Sequence, residues 1–450
     1  MKVKIHLVFL VLIFGIQMMS AQELDKIIFQ KVDSLLEDVF HRGIYTGQVI
    51  ISHQGEEVYY KQNGYADWHT SRTMDKNTLF NIGSLNKQFT EEIIHQLVEE
   101  HKLNYQDKIS KYLNLFPEET GNKITILQLI DMKAGLGDYL RNPKFRMLSE
   151  KDFSVSELVD IIKDEPLLYE PGTGQEYSNS GYVVLGALIE KISGKSYEEN
   201  LKERIFKPLG LGNVYYTKEQ KSKQVNRAHG HLIDFDGNKE SMDDISCSTP
   251  AGGLYMNIGS LLKFVEAKRQ GHLPSGKKYG SGMFAGGTEV WNSSIFFHEK
   301  SGFCFVVLAN TGDIADELAP RISSILKGEP IPPVELPFNL LLYKLIQEKG
   351  IDYVKNNVEK LAMQARLPYD DRFLNYFGYQ FLKANKIDLA INLFEINVSL
   401  FPKVPNTYDS LAEAYLVKGD KTNALKYYKM EAEMIPENKK LKALILDLEN

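Results

Sequence analysis

Phe80-Asn81-Ile82-Gly83-Ser84-Leu85-Asn86-Lys87-Gln88-Phe89-Thr90 is the stretch on which the fold turns. From Ser84 onward, Leu85, Phe89, Ile93, Ile94 and Leu97 recur on one face for about four turns, which predicts a helix ending near His101-Lys102. Three residues along a helix set two side chains one turn apart on the same face, so the Lys87 amine is placed to touch the Ser84 hydroxyl. A serine at its free pKa is a poor nucleophile and needs a neighbouring base, and a lysine stripped of water can serve. The spacing alone is weak evidence, because Ser260-Leu261-Leu262-Lys263, Ser275-Gly276-Lys277-Lys278 and Ser324-Ile325-Leu326-Lys327 share it. Four copies cannot all be active, and a helix cap or a solvated surface accounts for such a pair equally well.

Outward from this helix, residues 48–52 and 57–61 are rich in β-formers and are separated by His53-Gln54-Gly55-Glu56, which predicts a hairpin. Further helices are expected over 126–132, 155–163 and 182–192, and β character returns over 294–297 and 303–309. Strands at both ends of a helical middle imply an α+β domain, with a sheet lobe closed by its first and last segments and a helical lobe between them.

The N-terminus reads as an export signal: Lys2 and Lys4 precede an apolar stretch over 5–16, then Met19-Ser20-Ala21 offers a cleavage site after Ala21. Twelve residues are too few to span a membrane, and no later segment is apolar enough, so the mature chain is expected to be periplasmic or extracellular without a stable membrane span. The 450-residue chain carries 53 Lys+Arg against 59 Asp+Glu, a formal charge of −6, which becomes −8 once the two lysines of the signal are removed. With no long basic run, a nucleic-acid groove has no electrostatic footprint. The two cysteines, Cys247 and Cys304, are too far apart in sequence for a zinc knuckle or redox motif. Cys304 lies in an apolar run and reads as a small core residue.

At the other end, Pro330-Ile331-Pro332-Pro333 with Pro337 suggests a semi-rigid spacer, and everything beyond it is helical in pattern. Phe401-Pro402 and Ile435-Pro436 lie 34 residues apart, and at that shift Phe377-Gly378 maps onto Leu411-Ala412, Phe381 onto Tyr415, Ala390 onto Ala424 and Phe394 onto Tyr428. This tail resembles the tetratricopeptide repeat, whose paired helices stack through small residues and commonly engage protein partners. Two repeats are too few to close a core, so 338–349 and 353–363 are expected to add a helical pair. The chain thus divides into a signal over 1–21, an α+β domain over 22–329, a spacer over 330–337 and an all-α domain over 338–450.

There is no GxSxG elbow, no HExxH and no complete P-loop; Gly194-Lys195-Ser196 has Ile189 where a P-loop requires glycine and reads as a loop after a helix. No motif calls for a metal or cofactor. Taken with the opening stretch, Tyr177-Ser178-Asn179-Ser180-Gly181-Tyr182, Lys207-Pro208-Leu209-Gly210-Leu211 and Ala251-Gly252-Gly253-Leu254 fall in an order that resembles the serine hydrolases related to class C β-lactamases and penicillin-binding DD-peptidases, over roughly residues 35–327. The resemblance implies acyl transfer on a β-lactamase/transpeptidase-like fold. Ser84 would attack a carbonyl, Lys87 and Tyr177 would share the proton traffic, and Asn179 would orient Lys87 and the substrate. The backbone N–H groups of Ser84 and Gly287 would hold the oxyanion, and water would release the acyl group. Ester, amide or peptidoglycan-derived substrates are implied.

Two departures stand out. The family's third element, a Lys or His followed by a small residue and Gly, falls here at Phe284-Ala285-Gly286, and a phenyl ring cannot pair with a substrate carboxylate. The family's His-Thr-Ser-Gly-Leu run reads Met132-Lys133-Ala134-Gly135-Leu136. Lys277 or Lys278 offers a substitute cation, although a solvated face fits that pair better. Two functions are compatible with these features. One is a working serine hydrolase indifferent to a substrate carboxylate; the other is a degenerate relative that binds cell-wall peptide or acts as a scaffold through its repeat tail.

Overall fold

A computed structural model describes residues 21–142, 144–145, 153–242, 248–288, 290–312, 314–365 and 367–449. Residues 1–20 of the export signal expected over 1–21, together with Cys247, lie outside the described residues. The chain divides into two compact units, one running through Ile233 and resuming over Lys239–Val334, the other comprising Asp234–Asn238 with Glu335–Asn450.

The first unit is built on a five-stranded antiparallel sheet in the order Ser281–Thr288, Trp291–His298, Phe303–Ala309, Gly47–His53, Glu56–Asn63. The first and last segments of the domain meet at its centre, with Val49 opposite Val307 and Ile51 opposite Phe305. The three inner strands are buried along nearly their whole length, since helices Ala21–His41, Ile258–Arg269 and Ile314–Lys327 pack on the sheet. Continuous apolar runs such as Phe303-Cys304-Phe305-Val306-Val307-Leu308 are what strands covered on both faces require. Cys304 is a free, fully buried thiol within that run.

The helical part holds Lys87–Glu99, Ile126–Ile130, Val155–Ile162 and Asn179–Ser193. Their starts are written locally: Thr125 with Gln128, Ser154 with Glu157 and Ser196 with Glu199 form reciprocal capping boxes that satisfy the first free N–H groups. Helix Asn179–Ser193 begins earlier than its apolar period suggests, because the Ser178 hydroxyl caps the Gly181 N–H and draws Asn179 into the first turn. Gly194 ends that helix in the left-handed region, at φ 70°, and Ser196 starts the next, so Gly194-Lys195-Ser196 is a loop between helices, as its sequence predicts. Helix Lys87–Glu99 runs through the centre of the unit, and Phe89, Ile93, Ile94 and Leu97 are wholly buried.

The second unit is all-helical. Asp371–Lys383 and Ile387–Leu400 are followed 34 residues on by Pro405–Lys418 and Lys421–Met434, the spacing seen in the sequence. Gly378 lies where an added Cβ would come 2.3 Å from the Phe394 ring, so this helix pair closes through a small residue. Phe338–Lys349 is helical as expected, but the stretch expected as one helix over 353–363 is split into Ile351–Lys355 and Val358–Gln364. The break falls at Asn356-Asn357, where the Asn357 side chain turns back to donate to the Tyr353 carbonyl at 2.8 Å and competes with the helical ladder.

Candidate active site

Gly83 opens a short 3-10 turn over Gly83–Asn86 that leads into helix Lys87–Glu99. Its φ of +51° is a conformation that glycine adopts without strain, and a Cβ there would sit 2.7 Å from the Gly287 nitrogen. Gly286 is equally constrained: its added Cβ would stand 2.6 Å from the Ser84 nitrogen and 2.4 Å from that of Leu85. Two glycines therefore let the edge strand lie directly against the turn that carries Ser84. The Ser293 hydroxyl fastens them, lying 2.8 Å from the Ile82 carbonyl and 3.0 Å from that of Gly286. This seam sets the turn that carries Ser84 against the strand that carries Gly287, the two residues whose backbone N–H groups are expected to hold an oxyanion.

The four expected side chains converge. The Lys87 ammonium donates to Ser84 Oγ at 3.0 Å, to Asn179 Oδ1 at 2.7 Å and to the Ala251 carbonyl at 2.6 Å, which uses all three of its protons. Ser84 Oγ and the Tyr177 hydroxyl are 2.6 Å apart. Lys87 also lies over the Tyr177 ring, 4.8 Å from its centroid, and over that of Tyr182 at 5.5 Å. Asn179 Nδ2 donates to Asp138 Oδ2 at 2.8 Å, which fixes the amide so that its oxygen faces Lys87.

Burial governs the proton affinities. Lys87 is 5% exposed, and loss of hydration brings its amine down to about 7, opposed by the field of Asp138, which favours the ammonium. The Tyr177 phenol is pushed above its ordinary value, again chiefly by lost hydration, so it is neutral and able to donate near pH 7. An amine near neutrality beside a serine hydroxyl can act as a base: once deprotonated, Lys87 accepts the Ser84 proton across the contact through which its ammonium now donates.

The other Ser-x-x-Lys copies hold no such arrangement. Ser260 Oγ donates to the Gly212 carbonyl, Ser275 Oγ to Glu92, and Ser324 Oγ to Glu329. Phe284 lies on the same face of its strand as Gly286, two residues away, half-buried and stacked on Phe297. Lys277 is exposed and pairs with Glu99 at 3.6 Å, and Lys278 lies over the Tyr105 and Tyr279 rings, so both occupy a solvated face. Met132 takes a positive φ of 58°, and its sulfur accepts from the Ser178 N–H at 3.5 Å, which ties the altered run to the Tyr177–Asn179 segment.

Sequence reading missed Asp138, Ser293 and the Ala251 carbonyl as partners of this cluster. Asp138 had a local signal, since it follows the Gly135-Leu136-Gly137 turn and caps the short turn Tyr139–Arg141, but nothing local links it to Asn179. Beside Tyr177 opens a cleft of about 270 Å³ lined by Asp138, Arg141, Glu165, Leu168 and Glu176 among others.

A serine with a desolvated lysine and a phenol, on a turn held against the edge strand of this sheet, is the arrangement of a class, that of the β-lactamases and penicillin-binding proteins. The profile of the Beta-lactamase family matches residues 24–322, and the chain belongs to that family. It is 33% identical over 207 residues to penicillin-binding protein 4* of Bacillus subtilis, covering 45% of each chain. To the teichoic acid D-alanine hydrolase of Staphylococcus aureus it is 30% identical over 251 residues, covering 55% of this chain and 59% of the relative. The match thus spans about half to two thirds of the length of these curated relatives. Among solved structures, an octameric penicillin-binding protein homologue from Pyrococcus abyssi superposes with a TM-score of 0.61 at 24% identity, covering 71% of this chain and 82% of the other. A D-amino acid amidase from Ochrobactrum anthropi gives 0.57 at 22%, covering 67% and 99%. These similarities establish the β-lactamase/penicillin-binding-protein fold. Among the described residues no helix is long and apolar enough to cross a membrane.

Proposed function

We propose that this chain is an exported serine hydrolase that works through an acyl-enzyme on Ser84. The observation that carries the reading is the Lys87 amine, buried, brought down to about 7 and 3.0 Å from Ser84 Oγ. In this mechanism neutral Lys87 takes the Ser84 proton as Oγ attacks the substrate carbonyl. The oxyanion settles between the N–H groups of Ser84 and Gly287, and the Tyr177 hydroxyl passes a proton to the leaving group and recovers one from Lys87. Water then repeats the sequence on the acyl-enzyme. Asn179, held by Asp138, keeps Lys87 in line and offers its amide to the substrate.

Esters, amides and cell-wall peptides are the substrate classes that fit, and the names of two relatives, a teichoic acid D-alanine hydrolase and a D-amino acid amidase, favour small acyl groups. With Phe284 on the strand wall, the substrate needs no free carboxylate. The segment over 1–21 acts as the export signal in this reading. The 34-residue helical period acts as a tetratricopeptide-like tail that engages a protein partner. One observation favours the second reading, a degenerate binding scaffold: the phenyl ring where the family carries a cation.

Intact-mass measurement after incubation with a fluorophosphonate separates the two. A single adduct on the mature protein, lost in Ser84→Ala, is expected. Folded protein that takes up no phosphonate refutes the hydrolase reading and leaves the scaffold.

A further inference from the structure

Behind the edge strand lies a second buried lysine. Lys268, on helix Ile258–Arg269, has no exposed surface, and its ammonium donates to Gln88 Oε1 at 2.7 Å. Three phenyl rings surround it, with centroids 5.3 Å away for Phe284, 5.4 Å for Phe264 and 5.9 Å for Phe297. Phe264 and Phe297 are fully buried, whereas Phe284 is only half-buried, so Phe284 is the wall of this cage that meets the outside. It shares a strand face with Gly286, the face pressed against Ser84. Gln88 follows Lys87 directly on the nucleophile helix.

Burial lowers the proton affinity of the caged amine, the fields of two carboxylates, Glu91 and Glu92, oppose this and favour the ammonium, and each carboxylate has partners of its own. Glu91 accepts from Tyr279 at 3.0 Å and sits 3.1 Å from His95 Nε2; Glu92 is bound by the Ser275 hydroxyl and N–H. His95 is in turn bound to Tyr105 at 2.6 Å.

We infer that Phe284 is a specificity-determining residue whose ring closes a cage over the Lys268 ammonium, giving the site an apolar wall and shutting a cation one side chain's depth below it away from substrate carboxylates. The inference rests on the hydrolase reading and names its substrate class: acyl donors with no carboxylate beside the scissile bond. A phenyl face stabilises an ammonium without neutralising it, so the positive charge is masked by position and remains available once the ring is gone. Replacing Phe284 with a small residue then turns an apolar wall into an anion subsite.

The test compares wild type, Phe284→Ala and Phe284→Ala/Lys268→Met on two probes, p-nitrophenyl acetate as the neutral ester and benzylpenicillin as the carboxylate-bearing amide. In the penicillin reaction the Ser84 Oγ–carbonyl bond forms as the lactam C–N bond breaks, and the serine proton ends on the lactam nitrogen, so acylation is read as added intact mass over time. Phe284→Ala should raise the acylation rate by penicillin about tenfold or more relative to neutral-ester turnover, the scale of one charge-assisted hydrogen bond. The double variant should lose that gain.

A Phe284→Ala enzyme that still turns over the neutral ester but gains nothing with penicillin overturns the inference, as does a gain that survives removal of Lys268. Phe284→Val, with a smaller cavity, replaces the alanine variant if the latter fails to fold. If wild type turns over neither probe, the hydrolase reading fails by itself. Thermal shift by benzylpenicillin in Phe284→Ala against the double variant then still decides whether Lys268 has been uncovered.

Discussion

Proton affinity at Lys87 gives the most direct test of how the site works. An ordinary lysine is neutral in roughly one molecule in three thousand at pH 7. With its amine brought down to about 7, Lys87 is neutral in about half of them, a gain in available base of roughly a thousandfold. The cost is a buried ammonium destabilised by about 5 kcal/mol relative to water, which the protein carries below pH 7 and sheds as the pH rises toward 10.5. Because the neutral amine is the active form, kcat/KM for a neutral ester should rise through a midpoint near 7, falling to about a tenth of its plateau one pH unit below. Tyr177 is held above its ordinary value and should add no descending limb below about pH 10. Asp138 supplies the sign check. Its carboxylate favours the Lys87 ammonium, so Asp138→Asn, which can still accept from Asn179 through its amide oxygen, should move the midpoint toward acid. A stopped-flow or plate-reader profile from pH 5 to 9 on both proteins is sufficient. A flat profile, or a midpoint that stays or moves toward alkali in Asp138→Asn, would refute the assignment of Lys87 as base.

Tyr177→Phe removes the hydroxyl 2.6 Å from Ser84 Oγ and should lower kcat by about 10² to 10⁴; turnover within threefold of wild type would mean the phenol carries no proton. Gly286→Ala places a methyl group 2.6 Å from the Ser84 nitrogen, so kcat should fall by about 10² or more through the displaced Gly287 donor, at a cost of about 1–3 kcal/mol in urea unfolding. Ser293→Ala releases the seam between the edge strand and the nucleophile turn and should lower kcat about tenfold with KM nearly constant, the pattern of a positioning residue; a change confined to KM would contradict that role. In the tail, Gly378→Ala drives a methyl group to within 2.3 Å of the Phe394 ring and should cost about 1–3 kcal/mol by calorimetry, and an unaltered melting profile would show the helix pair to be looser than the structure indicates.

What could be read from the sequence follows from what is local. The nucleophile helix, the hairpin, the helix starts and the apolar strands depend on periodicity and capping within a few residues, and each sits within a few residues of its expected place. Helix spacing pairs Ser84 with Lys87, but only the resemblance singles them out from the other three Ser-x-x-Lys copies. Tyr177 and Asn179 were reached through resemblance, since nothing in their own neighbourhood says that chain 90 residues away will meet them. The edge strand Ser281–Thr288 escaped propensity, because its glycines carry no β signal; they are there because the nucleophile turn lies against them.

Lys268 shows the limit most sharply. The lysines nearest in sequence to the missing cation, Lys277 and Lys278, lie on the solvated face that their sequence favours. A cation behind the strand wall comes from the helix Ile258–Arg269, where a lysine followed by arginine at a helix end looks like ordinary surface. It is buried under three rings, one of which, Phe284, stands where the resemblance expects a cation. A cation on the strand and a cation behind the strand answer different chemical needs: the first grips a carboxylate, and the second, capped by a phenyl ring, leaves that strand wall apolar. On this argument Phe284 changes what the site admits and leaves the Ser84, Lys87 and Tyr177 contacts in place, so its presence is as compatible with a retuned hydrolase as with a silent one.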